Sequence, residues 1–174
     1  RLVLDGEEVR RYHIRLEEWL TPECYDAIVK TGIMPRARER MLYLLKASDK
    51  TEAEVRRKLR EGFYPAEVID AAISFAKKHH YIDDKNYVER YIRYQGRRKS
   101  SKQICFELQR KGIDRDLISE CIEETPVDES QLVHAYLRKK GLGGRTLTHE
   151  ERQKVSGALA RKGISWEVIR SALQ

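Results

Sequence analysis

The sequence predicts an all-α protein of three tandem three-helix repeats, preceded by a small N-terminal β-hairpin and one short helix. Three observations carry that prediction. From Arg36 onward the apolar residues recur at helical rather than alternating spacing. One apolar pattern then returns at intervals of 49 and 51 residues, long enough for three short helices per copy. The same helix-start signal stands at the same place in every copy.

The opening residues read differently from the rest. Leu2-Val3-Leu4 and the stretch Val9 to Leu16 flank Asp5-Gly6, a pair suited to the positive φ angles of a tight hairpin turn. Thr21-Pro22 then offers an N-cap and a first-turn proline, and Gly32 a left-handed stop, so a short helix over about 22–31 follows. Met34-Pro35 closes this part, giving an N-terminal segment of residues 1–35 and repeats at 36–83, 84–126 and 127–174.

Within each repeat the middle helix is the clearest. Val55, Leu59 and Tyr64 match Ile104, Leu108 and Ile113, and then Val155, Leu159 and Ile164. The helix that follows repeats as Val68-Ile69 with Ile73, Leu117-Ile118 with Ile122, and Val168-Ile169 with Leu173, a spacing that paints one buried stripe. The helix that precedes it shows as Met41-Leu42 with Leu45, Tyr87-Val88 with Tyr91-Ile92, and Leu132-Val133 with Tyr136-Leu137. Thr51-x-x-Glu54, Ser100-x-x-Gln103 and Thr148-x-x-Glu151 are capping boxes at the three middle-helix starts. Gly112 and Gly163 suit left-handed helix stops, whereas Gly62 sits one position early in its copy. Thr125-Pro126 ends the second repeat. The third has the longest first connection, with Gly141-Leu142-Gly143-Gly144 inside it.

Composition narrows the chemistry. Hydrophobic residues are 40% of the 174, enough for shallow, divided cores. Charged residues reach 36%, and 35 Lys+Arg against 28 Asp+Glu leave +7, a surplus that favours polyanionic partners without specifying any sequence. Cys24, Cys105 and Cys121 are far apart and lack zinc spacing, which fits a reducing, cytoplasmic setting, and Cys121 falls on an apolar face with Leu117, Ile118 and Ile122. No apolar run approaches the roughly 18 residues of a membrane span. No nucleophile motif, phosphate loop or metalloprotease motif occurs, so no catalytic residue, metal ligand or cofactor is expected and the chain reads as a non-enzyme. His79-His80 point about 100° apart on a helix and lack a third ligand. Asp83-Asp84 stands where the second repeat's first helix begins, where carboxylates cap N–H groups and favour the dipole.

The sharpest functional signal is basic. From Lys85 to Lys111 there are nine Lys+Arg against Glu89 and Glu107, a local surplus equal to that of the whole chain. Arg90, Arg93 and Arg97 share helical spacing with Tyr94 beside them, followed by Arg98, Lys99, Lys102, Arg110 and Lys111. Secondary clusters are Arg36, Arg38 and Arg40, then Arg56, Arg57 and Lys58 with Arg60, then Arg138, Lys139 and Lys140. These cations are the candidate DNA or partner contacts. Modules of three helices can also serve as stand-alone DNA-binding units, the alternative reading.

Tyr81-Ile82-Asp83-Asp84-x-x-Tyr87, leading to Tyr91, resembles the signature joining the first two repeats of RecX proteins. Leu44-Leu45 to Ser48 with Thr51-x-x-Glu54-Val55-x-x-Lys58-Leu59 is similar to that family's first repeat, and Ile104-x-x-Glu107-Leu108-x-x-Lys111-Gly112-Ile113 to its second. The third repeat matches loosely. The resemblance implies a cytoplasmic, monomeric regulator in DNA repair, recombination and the SOS response. Such a protein binds the RecA nucleoprotein filament and inhibits its recombinase, ATPase and coprotease activities, with weak, non-specific affinity for single- and double-stranded DNA. It also implies an elongated, curved array of the three units.

Overall fold

The structure, a computed structural model, describes residues 3–4, 6–15 and 18–174. Its elements are α1 (Gly6–Arg11), α2 (Pro22–Ile28), a π-helical turn (Val29–Ile33), α3 (Met34–Ala47), α4 (Glu52–Glu61) and α5 (Ala66–Lys78). They continue with α6 (Asp84–Gln95), α7 (Ser101–Arg110), α8 (Arg115–Glu124), α9 (Glu129–Lys139), α10 (His149–Arg161) and α11 (Trp166–Ala172). Among the described residues there is no strand. The chain forms two compact bodies, Arg1–Asp84 and Lys85–Gln174.

The N-terminal hairpin expectation is overturned, because Gly6–Arg11 is helical. Asp5, Leu2 and Leu16 lie outside the described residues. The reason is partly local: Glu7 and Glu8 stand in the first turn of α1 and Arg10 and Arg11 in the last, the arrangement a helix dipole favours. It is also tertiary. Glu8 is buried against Arg36 of α3, at 3.0 Å, and Tyr12 and Ile14 pack on a core of Ile28, Val29, Ile33, Ala37 and Val68.

Gly32 does not stop the helix either, for α2, the π turn and α3 run on without a break from Pro22 to Ala47. Pro35 lacks an N–H and would crowd the carbonyl four residues back. The wider π turn immediately before it, in which the Met34 N–H reaches back to the Val29 carbonyl, absorbs that mismatch. Gly32 instead permits close approach: a Cβ there would collide with the Glu8 carboxylate.

The three helical units each bury their own seam. Met41, Val55, Leu59, Ile69 and Ile73 form the first, Val88, Ile92, Ile104, Leu108, Ile118 and Cys121 the second, and Val133, Leu137, Val155, Leu159 and Ile169 the third. Full burial of such a side chain contributes about 1.5–3 kcal/mol. In α3 Ala37, Met41 and Leu44 are buried and Leu45 packs on the first seam, whereas Leu42 faces outward. Cys121 is buried, and burial pushes its thiol up, as for a small core hydrophobe.

All three capping boxes form. Thr51, Ser100 and Thr148 accept from the backbone N–H of Glu54, Gln103 and Glu151, whose side chains return the bond to the cap N–H. The turns after α7 and α10 close through Gly112 and Gly163 at φ of 81° and 79°. In the first unit the corresponding left-handed residue is Phe63, at φ 59°, which is why Gly62 looked displaced.

A second feature repeats with the units. Asp84, the first residue of α6, does not cap α6: its Oδ1 accepts from the N–H of Glu52, the first residue of α4, at 2.9 Å. Glu129, the first residue of α9, likewise accepts from the N–H of Ser101, the first residue of α7, at 3.0 Å. Its other oxygen accepts from the N–H of Ser165, the N-cap of α11, at 3.2 Å. Burial pushes the Asp84 carboxyl up despite the Glu52 N–H.

Candidate functional site

The basic stretch of the second unit is split by the fold into cations that are held and cations that are not. Helix α6 stops at Gln95 because Gly96 turns the chain; a Cβ there would stand 2.7 Å from the Ile92 carbonyl. Arg97 therefore lies beyond the helix and does not continue the face of Arg90 and Arg93, contrary to what the spacing predicts. Lys99 is bound by Glu107 through two contacts of 2.8 and 2.7 Å, and Tyr91 donates to the same carboxylate. Those bonds hold the Glu107 carboxyl below its usual range, Lys99 first and Tyr91 second. Lys111 lies over the Tyr87 ring and Arg110 over Phe106, at 5.6 and 5.9 Å. Lys102 is exposed on α7.

Arg97 and Arg98 do something else. They form one wall of a cleft of about 300 Å³ inside the Lys85–Gln174 body, with Lys139 of α9 and Lys162 of the turn after α10. The cleft is held in shape from beneath. The Ser100 hydroxyl donates to the Lys162 carbonyl at 2.7 Å, and the Lys162 ammonium sits 5.0 Å from the ring centroid of Tyr136. Arg97 also faces a larger cavity of about 1110 Å³ in the same body, with Arg138, Arg145 and Arg152. There Arg145 is engaged by Glu151, whose carboxyl it holds down at about 2. Lys140 ends α9 and is exposed.

The secondary cluster in the first body has another role. Arg56 bonds Glu52 at 2.7 Å and also reaches Asp70, so it ties α4 to α5. Arg57 stands 3.9 Å from Glu61. The structure thus gathers Arg97, Arg98 and Lys139, leaves Arg56 as a structural brace, and adds Tyr136, read from the sequence only as a seam residue, with Lys162, Arg145 and Arg152, which sequence reading did not single out. For Lys162 the available signal was its place before Gly163, parallel to Lys111 before Gly112. Among the described residues no group of three or more His, Cys, Asp or Glu gathers as metal ligands, and no helix is long and apolar enough to cross a membrane.

Comparison with known proteins agrees with this architecture. Family models described as the first, second and third three-helix domains of RecX match residues 37–75, 83–122 and 128–173. A Regulatory protein RecX from Clostridium beijerinckii is 28% identical over 98% of this chain and 82% of its own length. One from Vibrio vulnificus is 29% identical over 82% of this chain and 94% of its own. Among solved structures, a crystal structure of a regulatory protein RecX superposes with a TM-score of 0.73 at 23% identity, covering 95% of this chain and 84% of that one. RecX from Lactobacillus salivarius gives 0.70 at 23% identity, covering 81% and 94%. With all three domain models matched in order along the chain, the protein belongs to the RecX family of regulatory proteins.

Proposed function

We propose that the chain binds the RecA nucleoprotein filament and lowers its ATPase, recombinase and coprotease activities, modulating DNA repair, recombination and the SOS response. Membership in the RecX family is the observation that carries this reading. In it the protein is a cytoplasmic monomer that works by binding rather than catalysis and needs no cofactor. The three-helix units, taken as 36–83, 84–126 and 127–174, divide the task. The cations of the second and third units, from Arg90 to Lys111 and from Arg138 to Lys140, meet the DNA or acidic protein surface, and helix faces of the first and third meet RecA. Within that set Arg97, Arg98 and Lys139 support the division, since they are exposed and line a cleft that holds no carboxylate.

The test adds the protein to preformed RecA filaments on single-stranded DNA and follows ATP hydrolysis. Hydrolysis falls as the protein is titrated in. Arg97→Glu with Arg98→Glu raises the half-inhibiting concentration at least tenfold while the thermal melt stays unchanged. Undiminished hydrolysis with the unaltered protein refutes the reading. Tight, sequence-selective DNA binding in the absence of RecA would favour a stand-alone DNA-binding protein instead.

A further inference from the structure

We propose that the groove between α10 and α11 in the third unit docks a short acidic peptide segment of another protein. Carboxylates of the segment bind Arg152 and Arg170, and one large apolar side chain enters the space beside Trp166. The reading above gives helix faces of the third unit to RecA without choosing one. This inference names a face and the chemistry it takes, and it does not require the partner to be RecA.

The first support is what lines the groove. Trp166, Ile169, Arg170 and Leu173 follow helical spacing along one face of α11, and Arg152 and Ser156 do so on α10, around a space of about 460 Å³. Ile169 and Leu173 belong to the buried seam of the unit, whereas Trp166 is 63% exposed. No Asp or Glu lines the groove. Among the described residues neither arginine has a carboxylate within ion-pair distance. Arg152 lines both this groove and the larger cavity beside Arg97.

The second support comes from the repeat itself. Its intervals of 49 and 51 residues place Glu52, Arg56 and Asp70 of the first unit at the positions of Arg152, Ser156 and Arg170. In the first unit the Arg56 guanidinium bridges the two carboxylates and ties α4 to α5. In the third unit the bridging arginine is a serine, and both of its partners are arginines. The central cation is gone, the flanking charges are inverted, and the groove between the helices stands open. A carboxylate entering from outside supplies, with opposite signs, the bridge that the first unit makes internally. Trp166 departs from the repeat as well, for its counterparts are Ala66 and Arg115. A unit therefore folds without a large ring at this position, and tryptophan and arginine are the residues that most often carry the binding energy of protein interfaces.

The aliphatic floor favours peptide over nucleic acid. Ile169 and Leu173 offer no hydrogen bond to a sugar or a base edge. With the Trp166 ring they give apolar surface to an aliphatic or aromatic side chain, at about 25 cal/mol for each Å² covered.

The experiment uses the full chain with Trp19→Phe, which leaves Trp166 as its single tryptophan. The capped peptide Asp-Glu-Leu-Phe-Asp-Glu is titrated in without RecA. Trp166 emission moves to shorter wavelength as the peptide covers the ring, and affinity falls with added salt. Arg152→Ala with Arg170→Ala weakens binding at least tenfold, as does replacing Leu-Phe in the peptide by Ala-Ala. Rebuilding the bridge of the first unit with Arg152→Glu, Ser156→Arg and Arg170→Asp abolishes binding and keeps the circular dichroism melt at or above its original temperature. Lys46→Ala with Lys78→Ala, cations of the first body, changes neither emission nor affinity. Unaltered emission at millimolar peptide overturns the proposal, as does equal binding by the double-alanine variant. So does oligothymidine of equal charge binding more tightly than the peptide at Trp166, which would mark a nucleic-acid site. So does a dimer in sedimentation velocity that Arg152→Ala with Arg170→Ala dissolves, which would make a second copy the occupant. Because RecA is absent, failure here leaves the regulatory reading standing, and failure of RecA inhibition leaves this one standing.

Discussion

Ser100→Ala tests whether the second and third units are joined as described. The hydroxyl accepts from the Gln103 N–H at 3.3 Å and donates to the Lys162 carbonyl at 2.7 Å, in a residue only 1% exposed. Losing an N-cap costs about 1 kcal/mol. Orphaning a carbonyl at a helix end adds about 1–2 kcal/mol more, since such carbonyls have no partner within the helix. The expected total is about 2–3 kcal/mol. Thr148→Ala removes the same cap in the same body, but at an exposed residue whose hydroxyl reaches only Glu151, so about 1 kcal/mol is expected. Urea unfolding of both variants reads the difference directly. With a slope of about 2 kcal/mol/M, the Ser100 variant should lose about 0.5–1 M more from its midpoint. Equal midpoint shifts would show that the bond to Lys162 adds nothing and would remove the account of how the cleft is held.

The other predictions concern charge and backbone. Because Arg145 holds the Glu151 carboxyl at about 2, its contribution is present above the ordinary value near 4.5 and is lost as pH falls toward 2. Glu151→Gln should therefore flatten the stability of the Lys85–Gln174 body between those values in an acid titration followed by circular dichroism, and an unchanged acid limb would count against the ion pair. At the left-handed turn position the two bodies should respond with opposite signs. Gly163→Ala, whose Cβ would meet Ser100 Oγ at 2.9 Å and Lys102 Cβ at 3.0 Å, should cost about 2 kcal/mol or more, whereas Phe63→Gly should gain about 0.5–1 kcal/mol by relieving a φ of 59°. Denaturation midpoints that moved the same way would refute the assignment of both turns.

What could be read in advance was what is local. Each capping box spans four residues, and each apolar seam follows from spacing along one helix, so the three units and their starts were legible. The errors came where a distant residue decides. Val9 to Leu16 was read as a strand because it follows the turn pair Asp5-Gly6, yet burial of Glu8 against Arg36 and packing of the segment on Ile28 and Val68 favour a helix over Gly6–Arg11. Gly32 looked like a stop because its reason for being glycine, the Glu8 carboxylate, approaches from another element. Asp84 was read as serving its own helix, since nothing nearby reveals that its partner is Glu52. For the same reason the basic stretch was found as a run, but its division was not. Glu107 is eight residues from Lys99, and Lys162 is 62 residues from Ser100.

The borrowed caps set an order in time. The N–H of Glu52 waits for a carboxylate that lies 32 residues later, and that of Ser101 for one 28 residues later. A chain leaving the ribosome therefore completes the starts of α4 and α7 only when Asp84 and Glu129 have emerged. Closures of this span carry a modest entropic penalty that grows slowly with length. The protein can thus solidify behind the moving end of synthesis, a turn of helix at a time, without needing its far terminus to begin.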